Sequence, residues 1–251
     1  MLRIIVALIF VVCILLVSVP IWLIYEVVGL FSAEAKEMAS LALLRFAFKV
    51  IVLIAGTKVT FIGEENIPKD KAVLFVGNHR SYFDIIIQGT RFTRPTAFIA
   101  KKEFGKVPIF GLWMKNIHCL LLDRNDLKQG LKTILQAIEY IKDGRSVFVY
   151  PEGTRNRTDE LLLPFKEGSM KIATKTGCPI IPIAISGSRA VFEDQFPRLK
   201  KASVIVHYGE PIYPASLSKE ELKFPGKYTA GIISKMLVED SALLAKNGKG
   251  S

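Results

Sequence analysis

Cysteine, histidine and acidic residues are all scarce in this 251-residue chain, and each shortage removes a class of explanation. The three cysteines, Cys13, Cys119 and Cys178, are far apart, odd in number and without a CxxC pair. That excludes a disulfide framework or a thiolate metal centre and suits thiols kept reduced in, or facing, a cytoplasm. Three histidines are too few for a multi-histidine metal site. Asp and Glu number 23 against 34 Lys and Arg, leaving a formal charge of +11. A surplus of that size points to anionic partners, either lipid headgroups or phosphorylated substrates. Nucleic acid explains the charge but leaves the apolar N-terminus without a purpose. No internal repeat and no low-complexity linker interrupts the chain.

Apolar residues, by contrast, make up half the sequence, and the excess is concentrated at the start. Ile4 to Tyr25 is an almost unbroken apolar run with only Ser18 and Pro20 inside it. As a helix it reaches about 33 Å, long enough to cross a bilayer. It is long for the apolar core of a signal peptide, and no small-residue cleavage site follows it. A second apolar stretch, Leu41 to Ile54, comes after a polar link, Ser32–Glu37, and is too short to span unaided. Its Arg45 and Lys49, four residues apart, give one helix face a charged stripe. Two helices dipping into one leaflet are expected, with a single span by the first helix as the alternative, forming an anchor over residues 1–56 ahead of a domain over 57–251. The first 56 residues hold four cations (Arg3, Lys36, Arg45, Lys49) against three carboxylates (Glu26, Glu34, Glu37), so the basic surplus belongs to the downstream domain.

From Lys58 the pattern changes to short β-branched runs alternating with amphipathic stretches. Strands are expected at Val59–Ile62, Ala72–Val76, Ala97–Ala100, Cys119–Leu122, Ser146–Tyr150, Ile180–Ile185 and Ser203–His207. The clearest helix is Leu127–Lys142, with Leu127, Leu131, Ile134, Leu135, Ile138 and Ile141 on one face and Gly144 as its stop. Others are expected after Ser81, around Gly168–Thr176 and near Lys227–Leu244, with a frayed tail over Asn247–Ser251. Strands alternating with helices define an α/β domain.

Four stretches carry the candidate chemistry. Asn78-His79-Arg80-Ser81-Tyr82-Phe83-Asp84 follows an expected strand and leads into an expected helix, where α/β proteins place ligands. Ser81 and Asp84 match a capping box, so Asp84 has a purely structural explanation. The same geometry would keep Asp84 ionised, and a bend at the helix start would bring it beside His79, fixing the imidazole tautomer and stabilising an imidazolium. On an unbroken helix the two lie about 140° apart, so the pair requires that bend. The second stretch, Tyr150-Pro151-Glu152-Gly153-Thr154-Arg155, also ends an apolar strand. Gly153 permits close backbone approach there, and Arg155 offers a planar fork for phosphate oxygens. Lys101 to Arg124 supplies two further cations, which by themselves read as surface charges. Cys178-Pro179-Ile180-Ile181-Pro182-Ile183 reads as plain core.

In this order and at these intervals, NHRSYFD, KKEF…P..G…DR, PEGTR and IIPI closely resemble the glycerolipid acyltransferase family, and within it the bacterial 1-acylglycerol-3-phosphate acyltransferases. The likeness covers roughly Val76 to Ile185 and extends to Phe165-Lys166-Glu167-Gly168. It implies a mixed central sheet flanked by helices, with a two-helix membrane anchor. It also implies an acyl thioester of coenzyme A or acyl carrier protein as donor, 1-acylglycerol 3-phosphate (lysophosphatidic acid) as acceptor and phosphatidic acid as product, with no metal or bound cofactor. His79 would be the general base oriented by Asp84. Arg155, with Glu152, Gly153, Thr154, Lys101 and Arg124, would bind substrate. The location implied is the cytoplasmic side of an inner membrane. Rival readings are acylation of glycerol 3-phosphate or another lysolipid, and a basic membrane-tethered module without catalysis.

Overall fold

A computed structural model describes residues 1–248. The tail expected over 247–251 lies mostly outside the described residues, because the last helix reaches Gly248. The chain opens with two long helices, α1 (Leu2–Phe31) and α2 (Ala33–Ala55), packed against each other. Only Ser32 separates them, so the expected polar link from 32 to 37 is not a loop. Ser32 is extended and caps α2, its hydroxyl accepting the Ala35 N–H at 3.1 Å. Ala33 to Glu37 are strong helix formers, and Glu34 suits the positive helix end, so the helix claims them. This lengthens α2 well beyond the apolar stretch Leu41–Ile54, and both helices are long and apolar enough to cross a membrane. Gly56 ends α2 in the left-handed conformation at φ +69°.

Strands β1 (Lys58–Ile62), β2 (Leu74–Gly77), β3 (Thr96–Lys101), β4 (Leu120–Leu122), β5 (Ser146–Val149), β6 (Ile180–Ser186) and β7 (Ser203–Tyr208) form one sheet, in the order β1-β7-β6-β2-β5-β3-β4. All pairs are parallel except β6–β7. The sheet is therefore mixed, and β1 and β7 form its reversed and parallel margin. Buried on both faces, β2, β5 and β6 read as the continuous apolar runs LFVG, SVFV and IIPIAIS. Helices α3 (Tyr82–Gly89), α4 (Phe110–Asn116), α5 (Leu127–Lys142), α6 (Lys171–Thr176), α7 (Lys219–Lys223) and α8 (Pro225–Gly248) complete the fold. One core packs α5, α6 and α8 on the sheet; the other places α3 and the C-terminal half of α2 on the opposite face.

Two consequences position the site. Parallel β2, β5 and β6 deliver Asn78–His79, Tyr150–Arg155 and Gly187–Arg189 to the same edge of the sheet. The face expected for α5 is also divided. Ile138 and Ile141 are buried, while Leu127, Leu131 and Leu135 are exposed at 92%, 60% and 52%.

Candidate active site

The backbone around His79 is held from both neighbouring strands. Asn78 makes two hydrogen bonds to Ile185 of β6: its Nδ2 donates to the carbonyl at 3.0 Å and its Oδ1 accepts the N–H at 2.8 Å. The His79 N–H donates to Glu152 Oε1 at 2.6 Å, and the His79 carbonyl accepts the Asn156 N–H at 2.7 Å. The first and third sequence motifs thus lock together.

Ser81 is the extended N-cap of α3, and Asp84 is the third helical residue of a complete capping box. One atom, Asp84 Oδ2, accepts the Arg80 N–H at 2.7 Å and the Ser81 N–H at 2.8 Å, and faces His79 Nδ1 at 2.9 Å. The capping role and the histidine partnership coexist, because the bend at Ser81 brings residues five apart together. A carboxylate that accepts from Nδ1–H leaves Nε2 as the free acceptor. The His79 ring stacks on Tyr150 at 4.2 Å between centroids and 19° between planes. Burial, reinforced by the charge of Asp84, pushes the Tyr150 hydroxyl well above its ordinary pKa, so that face of the ring stays neutral. Glu152 is buried, and its second oxygen accepts the Leu163 N–H at 3.0 Å. Burial raises its pKa against these two hydrogen bonds. The carboxyl is committed to bracing two loops.

Residues next to this pair, Tyr150 on one side and Arg80 and Tyr82 on the other, line two cavities that divide two of the expected substrate-binding cations. Arg155 lies over the Tyr82 ring at 3.6 Å and donates to Glu193 Oε1 at 3.3 Å. It lines a cavity of about 460 Å³ with Arg80, Arg157 and Arg189. Arg124 instead lines a groove of about 760 Å³ with Gly153 and Lys166, while Lys101 lines neither and pairs with Glu103 at 3.4 Å. Gly153 holds φ +69°, and a Cβ there would meet Lys166 Nζ at 2.9 Å, so its freedom is used for close approach. Thr154 is exposed. The groove wall is apolar, formed by Ile99, Leu122, Leu131, Ile134 and Val149, and Tyr150 closes it toward His79.

Sequence reasoning missed Glu193, which lies outside every motif. Its carboxylate accepts from Ser81 Oγ at 2.6 Å and from the Tyr82 N–H at 2.8 Å, besides Arg155. It occupies the positive end of α3, where an anion is favoured. No local pattern marks a residue that arrives 112 positions after its partner. Arg80, although inside the first motif, was not singled out; it reaches the Thr158 carbonyl at 2.8 Å. Among the described residues no His, Cys, Asp and Glu cluster is arranged to hold a metal. Burial pushes the Cys119 thiol up to about 12 and raises Cys178, so both remain thiols.

Comparison with known proteins gives consistent results. The sequence model of the family described as Acyltransferase matches residues 58–186. A 1-acyl-sn-glycerol-3-phosphate acyltransferase of Saccharomyces cerevisiae is 31% identical over 189 residues, 74% of this chain and 62% of its own length. The chain thus spans less than two thirds of that yeast relative. A Borreliella burgdorferi protein of the same name is 30% identical over 182 residues, 72% of each chain. The crystal structure of the 1-acyl-sn-glycerophosphate (LPA) acyltransferase of Thermotoga maritima superimposes with a TM-score of 0.73 at 28% identity, covering 96% of this chain and 98% of that one.

Proposed function

Because the chain belongs to the acyltransferase family, we propose that it transfers a fatty acyl group from a thioester to the free hydroxyl of 1-acylglycerol 3-phosphate, yielding phosphatidic acid. The observation that supports this reading is the His79–Asp84 contact at 2.9 Å, with the neighbours Arg80 and Tyr82 lining a cationic cavity and Tyr150, stacked on His79, lining a groove with an apolar wall. The groove suits an acyl chain, and the arginine cavity suits the acceptor phosphate. The acceptor alcohol is a poor nucleophile at neutral pH and needs a base within hydrogen-bond reach. Nε2 of His79 takes its proton as the oxygen attacks the thioester carbonyl, and Asp84 stabilises the imidazolium. The tetrahedral adduct then collapses, the carbon–sulfur bond breaks, and the proton on His79 is returned to the departing thiolate. Arg155 binds the acceptor phosphate in place of the Glu193 carboxylate it now holds, and Arg80, Arg157 and Arg189 add to that field.

The donor is the acyl thioester of coenzyme A or of acyl carrier protein. The assay that tests the reading measures thiol release from each donor with and without lysophosphatidic acid, glycerol 3-phosphate and other lysolipids. Release stimulated by lysophosphatidic acid supports it. Stimulation only by another acceptor would reassign the substrate, and no release with either donor would leave a binding module.

The same reading places the α1/α2 hairpin in the cytoplasmic leaflet of an inner membrane. The hairpin lies along the domain: Trp113 Nε1 donates to Ser18 Oγ at 2.8 Å, and Glu37 pairs with Arg145 at 3.2 Å. A full crossing by α2 would put Arg45 and Lys49 in hydrocarbon at about 2.5–3.5 kcal/mol each on insertion scales. Single cysteines at residue 2 and at Ser32, in a background lacking the native three, test this. Labelling of either from the outer face of intact cells would show a crossing.

A further inference from the structure

The charged stripe of α2 turns toward the domain. Arg45 and Lys49 line a cleft of about 550 Å³ together with Arg91, Arg94 and Lys69, opposite a single carboxylate, Glu64. The cleft lies at the far end of α3 from His79, about 12 Å of helix away.

Its charges are not balanced from within. Glu64 is already committed to Arg91, which it holds through both oxygens. Asp70, on the adjoining loop, pairs with Lys71 at 3.5 Å and its charge also reaches Arg94, so five cations face at most two carboxylates. Arg94 donates Nη1 to the Pro68 and Lys71 carbonyls at 2.7 and 3.0 Å, while its Nη2 is buried without a partner. Arg45 makes one long contact, 3.4 Å to the Phe92 carbonyl. Lys49 and Lys69 form no ion pair among the described residues. Cations gathered this closely repel one another, and a buried donor without an acceptor is costly. The arrangement is short of an anion with several acceptor oxygens.

The position of the cleft says which anion. Two of its cations belong to the membrane hairpin, whose other helix exposes Leu8, Val12 and Leu16. A headgroup phosphate reaching the cleft from a bilayer that holds the hairpin would meet Arg45 and Lys49. We propose that this cleft is a headgroup site for an anionic phospholipid of the host bilayer, separate from the acceptor site at Arg155. The inference rests on the membrane reading of α1 and α2.

The test is flotation of the full-length chain with vesicles of phosphatidylcholine alone or with added phosphatidylglycerol. Wild type binds both, and more strongly with phosphatidylglycerol. The double variant R45Q/K49Q keeps the phosphatidylcholine binding and loses roughly tenfold or more of the anionic increment, since each cation near a charged membrane contributes to partitioning. K223Q/K227Q, a charge-matched change on another surface, leaves the increment in place. Failure of wild type to float with phosphatidylcholine would sink the anchor reading itself. Equal binding to both vesicles, an increment that survives R45Q/K49Q, or one equally lost in K223Q/K227Q would overturn the cleft alone. A thermal shift of the detergent-solubilised chain with inorganic phosphate, abolished by R45Q/K49Q, would reassign the cleft to free phosphate. A raised KM for acyl carrier protein donors in R45Q/K49Q, with the lipid increment intact, would make it a carrier-protein dock.

Discussion

His79 and His207 each present Nδ1 to a buried aspartate, at 2.9 Å from Asp84 and 3.1 Å from Asp240. Measured by that contact alone, the two pairs are nearly the same, and their surroundings separate them. Asp84 sits in the first turn of α3, where its Oδ2 accepts two backbone N–H groups. Asp240 lies within α8, supported among the described residues by His207 and a 3.4 Å contact from Ser186, and burial raises its pKa. His79 follows β2 at the strand ends, next to residues that line two cavities, whereas His207 is inside β7. The third histidine, His118, shares Glu37 with Arg145. A histidine beside a carboxylate is thus ordinary in this molecule. What sets the proposed catalytic pair apart is its place at a helix start beside the strand ends, where its neighbours Arg80, Tyr82 and Tyr150 line cavities.

The largest expected effect sharpens that contrast directly. His79→Ala lowers kcat by about 10²–10⁴-fold with the fold intact, as loss of a general base does, and Asp84→Asn falls with it. His207→Ala leaves kcat unchanged. A folded His79→Ala protein with near-normal turnover would break the comparison, as would an Asp84→Asn protein that loses only thermal stability.

Next in size is Arg155→Ala. Charge-assisted hydrogen bonds are worth about 1.5–3 kcal/mol, so kcat/KM for the phosphorylated acceptor drops by roughly one to two orders of magnitude. Arg155→Lys recovers part of this, lacking the fork. Glu193→Gln shifts acceptor KM the other way, because the competing carboxylate is gone. A higher acceptor KM in that variant would make Glu193 a brace for Arg155 instead of a stand-in for phosphate. A changed donor KM in Arg155→Ala would place the arginine on the thioester partner.

Leu131→Glu probes the apolar groove at a position exposed enough to spare the fold. It raises KM for long-chain donors by roughly tenfold or less, the scale of one leucine contact, and spares short-chain donors. Equal effects on all chain lengths would exclude the groove as the acyl site.

The smallest effects belong to the second pair. His207→Ala costs up to about 1 kcal/mol of stability, the scale of one intramolecular hydrogen bond. Because burial raises the Asp240 pKa, the folded chain favours its protonated form. That contribution is complete below the ordinary carboxylate pKa of roughly 4 and is lost as pH rises through the raised value. Denaturant midpoints across this range fall with pH in the wild type relative to Asp240→Asn. An identical profile for the two would show that Asp240 carries no burial penalty.

The elements of the sheet were legible from local pattern. All seven expected strands form within two residues of their expected bounds, and α5 runs over the expected Leu127–Lys142. The helix α4 was not. It lies between Ile109 at φ +62° and His118 at φ +54°, two left-handed residues that carry none of the usual signals. It is held instead by contact with α1, through the Trp113 hydrogen bond to Ser18 and its edge-to-face packing on Tyr25 at 5.8 Å.

The sequence by itself determined the strand–helix alternation, the apolar hairpin and the candidacy of His79, Asp84 and Arg155, because period, cap and motif are local properties of the chain. Tertiary structure alone decided that Glu193 meets Arg155, that Arg124 and Arg155 line different cavities, and that most of the α5 stripe lines a groove. Those facts depend on which loops the sheet order brings together. Parallel strands put residues far apart in the chain at one edge, and no pattern within a single segment records its distant neighbour.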